Sequence, residues 1–225
     1  MNQYESTQML IEYLDPPTIK SALMQRSASS ESPTAVIQLT TVTPKDAQER
    51  LANSVMRYGF ANSPYGECLI AQSDETICHL SFFDASSRDN ELEALKEHWS
   101  GVSFLRDDPI VVATANYIFS ETLTLQDQPP LQVLVSGTKF QQRVWQSLLQ
   151  IPAGQLITYS RLAEMAGHPT AHRAAASAVA KNCVGYLIPC HRVVRSTGVI
   201  GQYRWGTERK HAMIARELGL NMPYN

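Results

Sequence analysis

Apolar residues in this chain keep two different periods, and the change from one to the other divides it. Residues 55–60, 67–71 and 76–83 are short runs with β-type character. Asn62-Ser63-Pro64-Tyr65-Gly66 and Gln72-Ser73-Asp74-Glu75 separate them with turn formers, so the stretch predicts an antiparallel meander. Helices are predicted over 89–99 and 109–122, then a further strand over 131–135. Upstream, 35–42 is β-branched enough for a strand, and 44–56 reads as a helix with Pro44 in its first turn. Residues 7–14 suit a short helix that Asp15-Pro16-Pro17 ends, and 27–33 is a Ser-rich linker. Cys68, Cys78 and His79 fall on strand-like runs, where packing is the expected use of such residues.

Beyond residue 137 the period is helical. Thr138-Lys139-Phe140-Gln141 is a capping box, in which the threonine side chain accepts from the third N–H and the glutamine reaches back. Phe140, Val144, Trp145, Leu148 and Leu149 recur behind it on one face, which makes Trp145 a core residue. A connection over 151–157 leads to a short helix over 160–166 that Gly167 stops. After His168-Pro169 a second helix runs over 170–180. Two helices across a tight glycine-containing turn make a helix-turn-helix pattern. The second is nearly bare: Ala171, Ala174, Ala175, Ala176, Ser177, Ala178 and Ala180 leave His172 and Arg173 to project near its start. Such a helix suits either close packing on a core or entry into a narrow groove. An arginine at a helix N-terminus opposes the macrodipole, which points to a use outside the fold.

Charge sharpens that division. Residues 137–225 carry 11 Lys and Arg against 3 Asp and Glu, a formal +8, while the rest carries 8 against 18, a formal -10. A polyanion is therefore the expected partner of the C-terminal part, with nucleic acid the leading class. No apolar stretch approaches the roughly 20 residues of a membrane span, and no signal peptide is legible. The expected compartment is the cytoplasm, with the four cysteines as free thiols. No C-x-x-C pair and no metal-spaced cluster is present, so no metal and no cofactor is expected.

The chemistry concentrates in Leu187-Ile188-Pro189-Cys190-His191-Arg192-Val193-Val194. A cysteine in apolar sequence is commonly an inert, packed residue. Here cationic neighbours favour a thiolate, an adjacent histidine offers a base, and a proline-led turn suits a group that is aimed. A nucleophilic Cys190 is the stronger reading.

Together these residues resemble the O6-alkylguanine-DNA alkyltransferase family, also called methylated-DNA–protein-cysteine methyltransferases. The likeness covers roughly residues 55–220 and is strongest from Gly137 onward. Ile188-Pro189-Cys190-His191-Arg192-Val193 matches the family's signature hexad, and Tyr159, Arg173, Asn182 and Glu217 fall at the family's spacings around it. Gly201-Gln202-Tyr203-Arg204-Trp205-Gly206 is most similar to bacterial adaptive-response members. Residues 43–54 resemble the tail of their zinc-bearing regulatory module, without its metal cysteines.

The resemblance implies an α+β, two-domain protein. A remnant of the regulatory module would occupy 1–54, a small ribonuclease H-like α/β domain 55–136, and a mostly helical, winged helix-turn-helix-like domain 137–225. It further implies a monomer that binds double-stranded DNA through the minor groove and moves an alkyl group from O6-alkylguanine, and from O4-alkylthymine, irreversibly to Cys190. His191, reached through a water and held by Glu217, would activate the thiol. Asn182 would brace the turn, and Tyr159 would donate to guanine N3. Arg173 would fill the vacated base position, with Ala171, His172, Ala174, Ser177 and Lys181 along the DNA. Cys190, Val193, Tyr203 and Arg204 would contact the guanine, largely through main-chain groups. Two departures stand out: Asn182-Cys183-Val184-Gly185 lacks the prolines usual before the hexad, and Ala180-Lys181 rearranges the phosphate contacts. The competing functions are an alkylated-DNA sensor without catalysis, for which Cys190 would be superfluous, and a Cys-His hydrolase, for which directly adjacent Cys and His is an unusual geometry.

Overall fold

The computed structural model of the chain describes residues 37–120 and 129–220, with Leu14, Pro17 and Ile19. The linker expected over 27–33 and, except for Leu14, the helix expected over 7–14 lie outside the described residues. The chain forms two compact units. One comprises residues 33–142 and 183–187, the other residues 1–32, 143–182 and 188–225.

The first unit is built on a six-stranded sheet in the order β1-β6-β4-β3-β2-β5. Its centre is the predicted meander: β2 (Val55–Ser63), β3 (Gly66–Ser73) and β4 (Thr76–Phe82) pair antiparallel. The first hairpin turns over Pro64 and Tyr65 alone, because Ser63 Oγ donates to the Gly66 carbonyl (2.6 Å) and accepts from the Tyr65 N–H (3.1 Å). β1 (Ile37–Val42) pairs parallel with β6 (Leu131–Ser136). The sheet therefore draws on residues 37–42 from the segment before residue 55. β5 (Ser103–Arg106), parallel to β2 at the edge, carries no periodic signal: four mostly exposed residues are too few to show one.

α1 (Pro44–Leu51) starts on Thr43, whose hydroxyl accepts from the Asp46 N–H. It stops before 56 because Val55 is already in β2. α2 (Arg88–His98) and α3 (Asp108–Ile118) complete the unit; Asp107 caps α3, with Pro109 in its first turn. A Cβ on Gly59 would meet the Asp108 backbone at 2.9 Å, so only glycine lets α3 lie this close to β2. Leu69, Ala71, Cys78, Leu95, Trp99 and Leu134 close the core. Cys68, Cys78 and His79 are all buried in the sheet, and burial pushes both thiols up to about 12. β6 pairs with β4 only at Val133 opposite Ile77. At Leu80 the 183–187 segment takes the place beside β4, through Leu80 N–H to Cys183 O (2.9 Å) and Gly185 N–H to Leu80 O (2.7 Å).

In the second unit helices dominate. α4 (Lys139–Leu148), which enters this unit from Arg143 onward, opens on the predicted capping box: the Thr138 N–H donates to Gln141 Oε1 (2.8 Å) and the Gln141 N–H to Thr138 Oγ1 (3.3 Å). Trp145 is buried and its Nε1–H donates to the Ala178 carbonyl (3.0 Å), a core role as expected. α5 (Tyr159–Met165) and α6 (His172–Ala180) form the helix-turn-helix. Beside them β7 (Ile157–Thr158) pairs with β8 (Val193–Val194), and α7 (Thr207–Glu217) ends the described fold. Leu14 and Ile19 are buried in this unit's core with Leu156, Val194, Ile200 and Ile214, a packing role that the N-terminal sequence does not announce.

Candidate active site

Cys190 opens a single 3₁₀ turn, Cys190–Arg192, that feeds directly into β8. The turn is tied by hydrogen bonds: Cys190 N–H to Ile188 O (2.7 Å), Arg192 N–H to Pro189 O (3.1 Å) and Val193 N–H back to Cys190 O. Asn182 supports it from outside. Its Nδ2 donates to the Ile188 carbonyl (3.0 Å) and to Cys190 Sγ (3.2 Å).

Cys190 is only 3% exposed but lines a cavity of about 220 Å³ together with Tyr159, Val179, Asn182, Tyr203, Trp205 and Lys210 among others. Tyr203 Oη lies 3.8 Å from the sulfur. Burial pushes the thiol pKa up, and Asn182, Tyr203 and the Lys210 charge pull it back down. Burial is the largest of these influences, so at rest the sulfur keeps its proton, contrary to the thiolate expected from the neighbouring cations. Arg192, two residues further along the chain, gives no help because its guanidinium is turned onto Glu217.

Arg192 and His191 both converge on Glu217 at the end of α7. His191 Nε2 is 2.9 Å from Glu217 Oε1. Arg192 Nε donates to both carboxylate oxygens (3.0 and 3.1 Å), Nη2 donates to Oε1 (2.8 Å), and Nη1 reaches the Ile151 carbonyl. The Gly154 N–H adds a bond to Oε2 (3.2 Å), and Gly154 has φ +76° in the predicted 151–157 connection. His191 and the Arg192 guanidinium hold the Glu217 carboxyl down at about 2 against its burial. Burial, by contrast, holds the His191 imidazole below its usual range, so the ring is neutral with Glu217 as its acceptor. A thiol, a neutral imidazole and a fixed carboxylate have the nucleophile, base and orienter composition of a hydrolytic triad.

Lys210 was not legible as a site residue. Its Nζ donates to the Val193 (2.7 Å) and Ile200 (3.0 Å) carbonyls, and burial brings it down to about 8. Its spacing of three and seven from Met213 and Glu217 puts it on the same inward helix face, the one signal that could have found it. Trp205 packs edge-on against Tyr203 (5.2 Å between centroids), and the Arg204 guanidinium lies 5.7 Å from the Trp205 ring.

α6 presents two faces. His172, Arg173, Ala174 and Ser177, with Lys181 just beyond, are exposed, and Ala171 is half-buried. Ala175 and Ala178 pack inward, while Ala176, Val179 and Ala180 line the Cys190 cavity. Tyr159 opens α5 beside the same cavity, with Thr158 as the helix cap, and burial pushes its phenol up. Thus the structure brings Cys190, Tyr159, Asn182, Tyr203 and Arg204 to one cavity and joins His191 to Glu217.

Fold and site together define a class: a sheet unit with a helical unit that carries a helix-turn-helix and a buried cysteine of nucleophilic surroundings. Residues 139–219 match the DNA-binding domain of 6-O-methylguanine DNA methyltransferase, and residues 56–121 match its ribonuclease-like domain. The chain is 35% identical over 177 residues to the bifunctional transcriptional activator/DNA repair enzyme Ada of Escherichia coli K12, covering 78% of this chain and 49% of that protein. It is 32% identical to the methylated-DNA–protein-cysteine methyltransferase of Methanosarcina barkeri, covering 72% of this chain and 97% of that one. The crystal structure of Mycobacterium tuberculosis OGT in complex with DNA superposes with a TM-score of 0.57 at 29% identity, covering 72% of this chain and 93% of that one. The chain belongs to the O6-alkylguanine-DNA alkyltransferase family, and it spans about half the length of the Ada protein it matches.

Proposed function

We propose that this chain repairs DNA by moving the alkyl group of O6-alkylguanine to Cys190 in a single, irreversible turnover. The observation that carries this reading is the sulfur of Cys190 in a cavity beside Tyr159 and Asn182, followed in the chain by an imidazole held on Glu217. The thiol keeps its proton at rest, so activation accompanies substrate binding. His191 takes the proton through a bridging water as the sulfur attacks the alkyl carbon. The Sγ–C bond forms, the C–O6 bond breaks with its electron pair passing to the guanine, and Tyr159 donates to N3 to ease that departure. The product is a thioether that no group here can hydrolyse, so the protein is consumed. The chemistry needs no cofactor.

A guanine in duplex DNA must leave the stack to reach the cavity, at a cost of a few kcal/mol. The exposed face of α6 is slim enough for the minor groove, and Arg173 is its longest side chain, suited to hold the vacated space. His172, Ala174, Ser177 and Lys181 would border the strand. Main-chain groups of Cys190, Val193 and Arg204 would bind the flipped base, with Tyr203 against it, and O4-alkylthymine presents a similar alkyl ether to the same sulfur. The working form is a monomer.

Mass spectrometry of the protein after mixing with O6-methylguanine duplex is expected to find a gain of about 14 Da on the Cys190 peptide, one methyl replacing one proton. Cys190→Ala should bind the duplex and gain nothing. Turnover beyond one equivalent, or an adduct elsewhere with Cys190 unmodified, would refute the assignment.

A further inference from the structure

Glu217 accepts more hydrogen bonds than an orienting carboxylate needs. Oε1 receives His191 Nε2, Arg192 Nε and Arg192 Nη2, and Oε2 receives Arg192 Nε and the Gly154 N–H. A carboxylate offers about four lone-pair sites, so His191 shares a fully occupied acceptor. The guanidinium is permanently charged, planar and itself anchored by Nη1 on the Ile151 carbonyl, so the carboxylate plane is fixed by a partner that cannot lose its proton. Arg192 is only 6% exposed, so this ion pair is little screened by solvent.

In a hydrolytic triad the buried carboxylate orients the histidine and stabilises the imidazolium. A stable imidazolium suits a histidine that must hold a proton and return it to a leaving group. Alkyl transfer to a thiol has no second half: the proton has only to be removed, and a histidine already protonated could not remove it. We propose that Arg192 is a positioning residue of this site, which fixes the Glu217 carboxylate and offsets part of its charge, so that His191, already disfavoured as a cation by burial, stays an empty acceptor for the Cys190 proton. The charged groups that act on His191 are Glu217 and Lys210 from α7 and Arg192 on its own turn. Burial is the largest influence against the imidazolium; among the charged groups only Glu217 favours it, while Arg192 opposes it and Lys210 opposes it to a smaller extent. The proposal rests on the alkyl-transfer reading for its purpose, but not for its electrostatics.

The test is an NMR titration of the His191 ring nitrogens in the full-length, DNA-free protein, paired with the pH profile of methyl transfer. In the parent the ring is expected to stay neutral, with the proton on Nε2, to below its ordinary value of 6.5. Arg192→Met should raise the His191 titration by roughly one unit, a tenfold change in proton affinity, and carry the acid limb of the transfer rate upward with it. Arg192→Lys keeps the charge but not the two-oxygen grip, so it should leave the titration near the parent's while slowing transfer. An imidazole that titrates in the parent at 6.5 or above overturns the proposal whether or not the methionine variant folds, as does an Arg192→Met titration that does not move. A lysine variant as fast as the parent overturns the positioning role. Absence of any Cys190 adduct would instead refute the alkyl-transfer reading and leave the titration result standing.

Discussion

At the scale of single residues, the site works by burial of charge, and Lys210 shows what that costs. An ammonium held by two carbonyls with almost no solvent is poorly hydrated, and its pKa falls to about 8 from the roughly 10.4 of an exposed lysine. Between those values the unfolded chain binds the proton and the folded one does not, so stability rises with pH through that window. Below about pH 8 both states are protonated and the full penalty applies. The ceiling on the gain is about 3 kcal/mol. Urea unfolding of Cys190→Ala and of Cys190→Ala/Lys210→Met at pH 7 and pH 10 isolates it, since the thiol's own titration is gone from both. Loss of the thiolate can only lower Lys210 further, so the sign holds. The lysine-containing protein should gain on its partner as pH rises; a gap that does not change would mean that Lys210 is not strained by its burial. In return for this penalty the cavity has a cation beside its sulfur, a role the sequence invited one to give to Arg192.

At the scale of elements, α6 is the piece whose sequence and structure agree most closely. Its alanines are divided among core, cavity and surface, and the exposed face keeps one long cation, Arg173. If Arg173 holds the space of an extruded base, Arg173→Ala should slow transfer from O6-methylguanine duplex by roughly tenfold, about 1.4 kcal/mol of the extrusion cost. Transfer from the free O6-alkylguanine base, which needs no extrusion, should keep its rate. Equal losses on both substrates would reassign Arg173 to the chemistry. Legibility followed the same line. The meander, α4 with its capping box and the helix-turn-helix were readable because each carries a local period or a turn signal. β5 was not, being short and exposed, and α1 was read too long because Val55 and Met56 suit either element. The Cys190, Asn182 and Glu217 positions were readable through spacing within one motif family. The grip of Arg192 on Glu217 was hidden, because it joins a turn to a helix 25 residues later and depends on which way a side chain points.

For the whole molecule the leading physical property is its uneven charge, and the structure corrects its size. Of the 11 basic residues in 137–225, Arg192, Arg209 and Lys210 are buried, with Arg209 donating to the Trp205 carbonyl and the others engaged as described. Glu217 is internal as well, so the part of that charge facing solvent is 8 basic against 2 acidic residues, a formal +6 rather than +8. The Arg161–Glu164 ion pair (2.9 Å) ties up one more exposed cation. Arg173, Lys181, Arg195 and Arg204 remain exposed in the unit that holds the cavity. If about four such cations meet phosphates, counterion release gives a slope near -3.6 for log affinity against log salt, and affinity for undamaged duplex falls roughly a hundredfold between 50 and 200 mM salt. Fluorescence anisotropy with labelled duplex would measure it. Lys181→Ala should reduce the slope by about one unit and weaken binding to every sequence alike, because a phosphate contact carries no base information. An affinity that hardly changes with salt would mean that the positive charge of this unit is not its DNA-binding surface, and that the exposed face of α6 meets something other than a phosphate backbone.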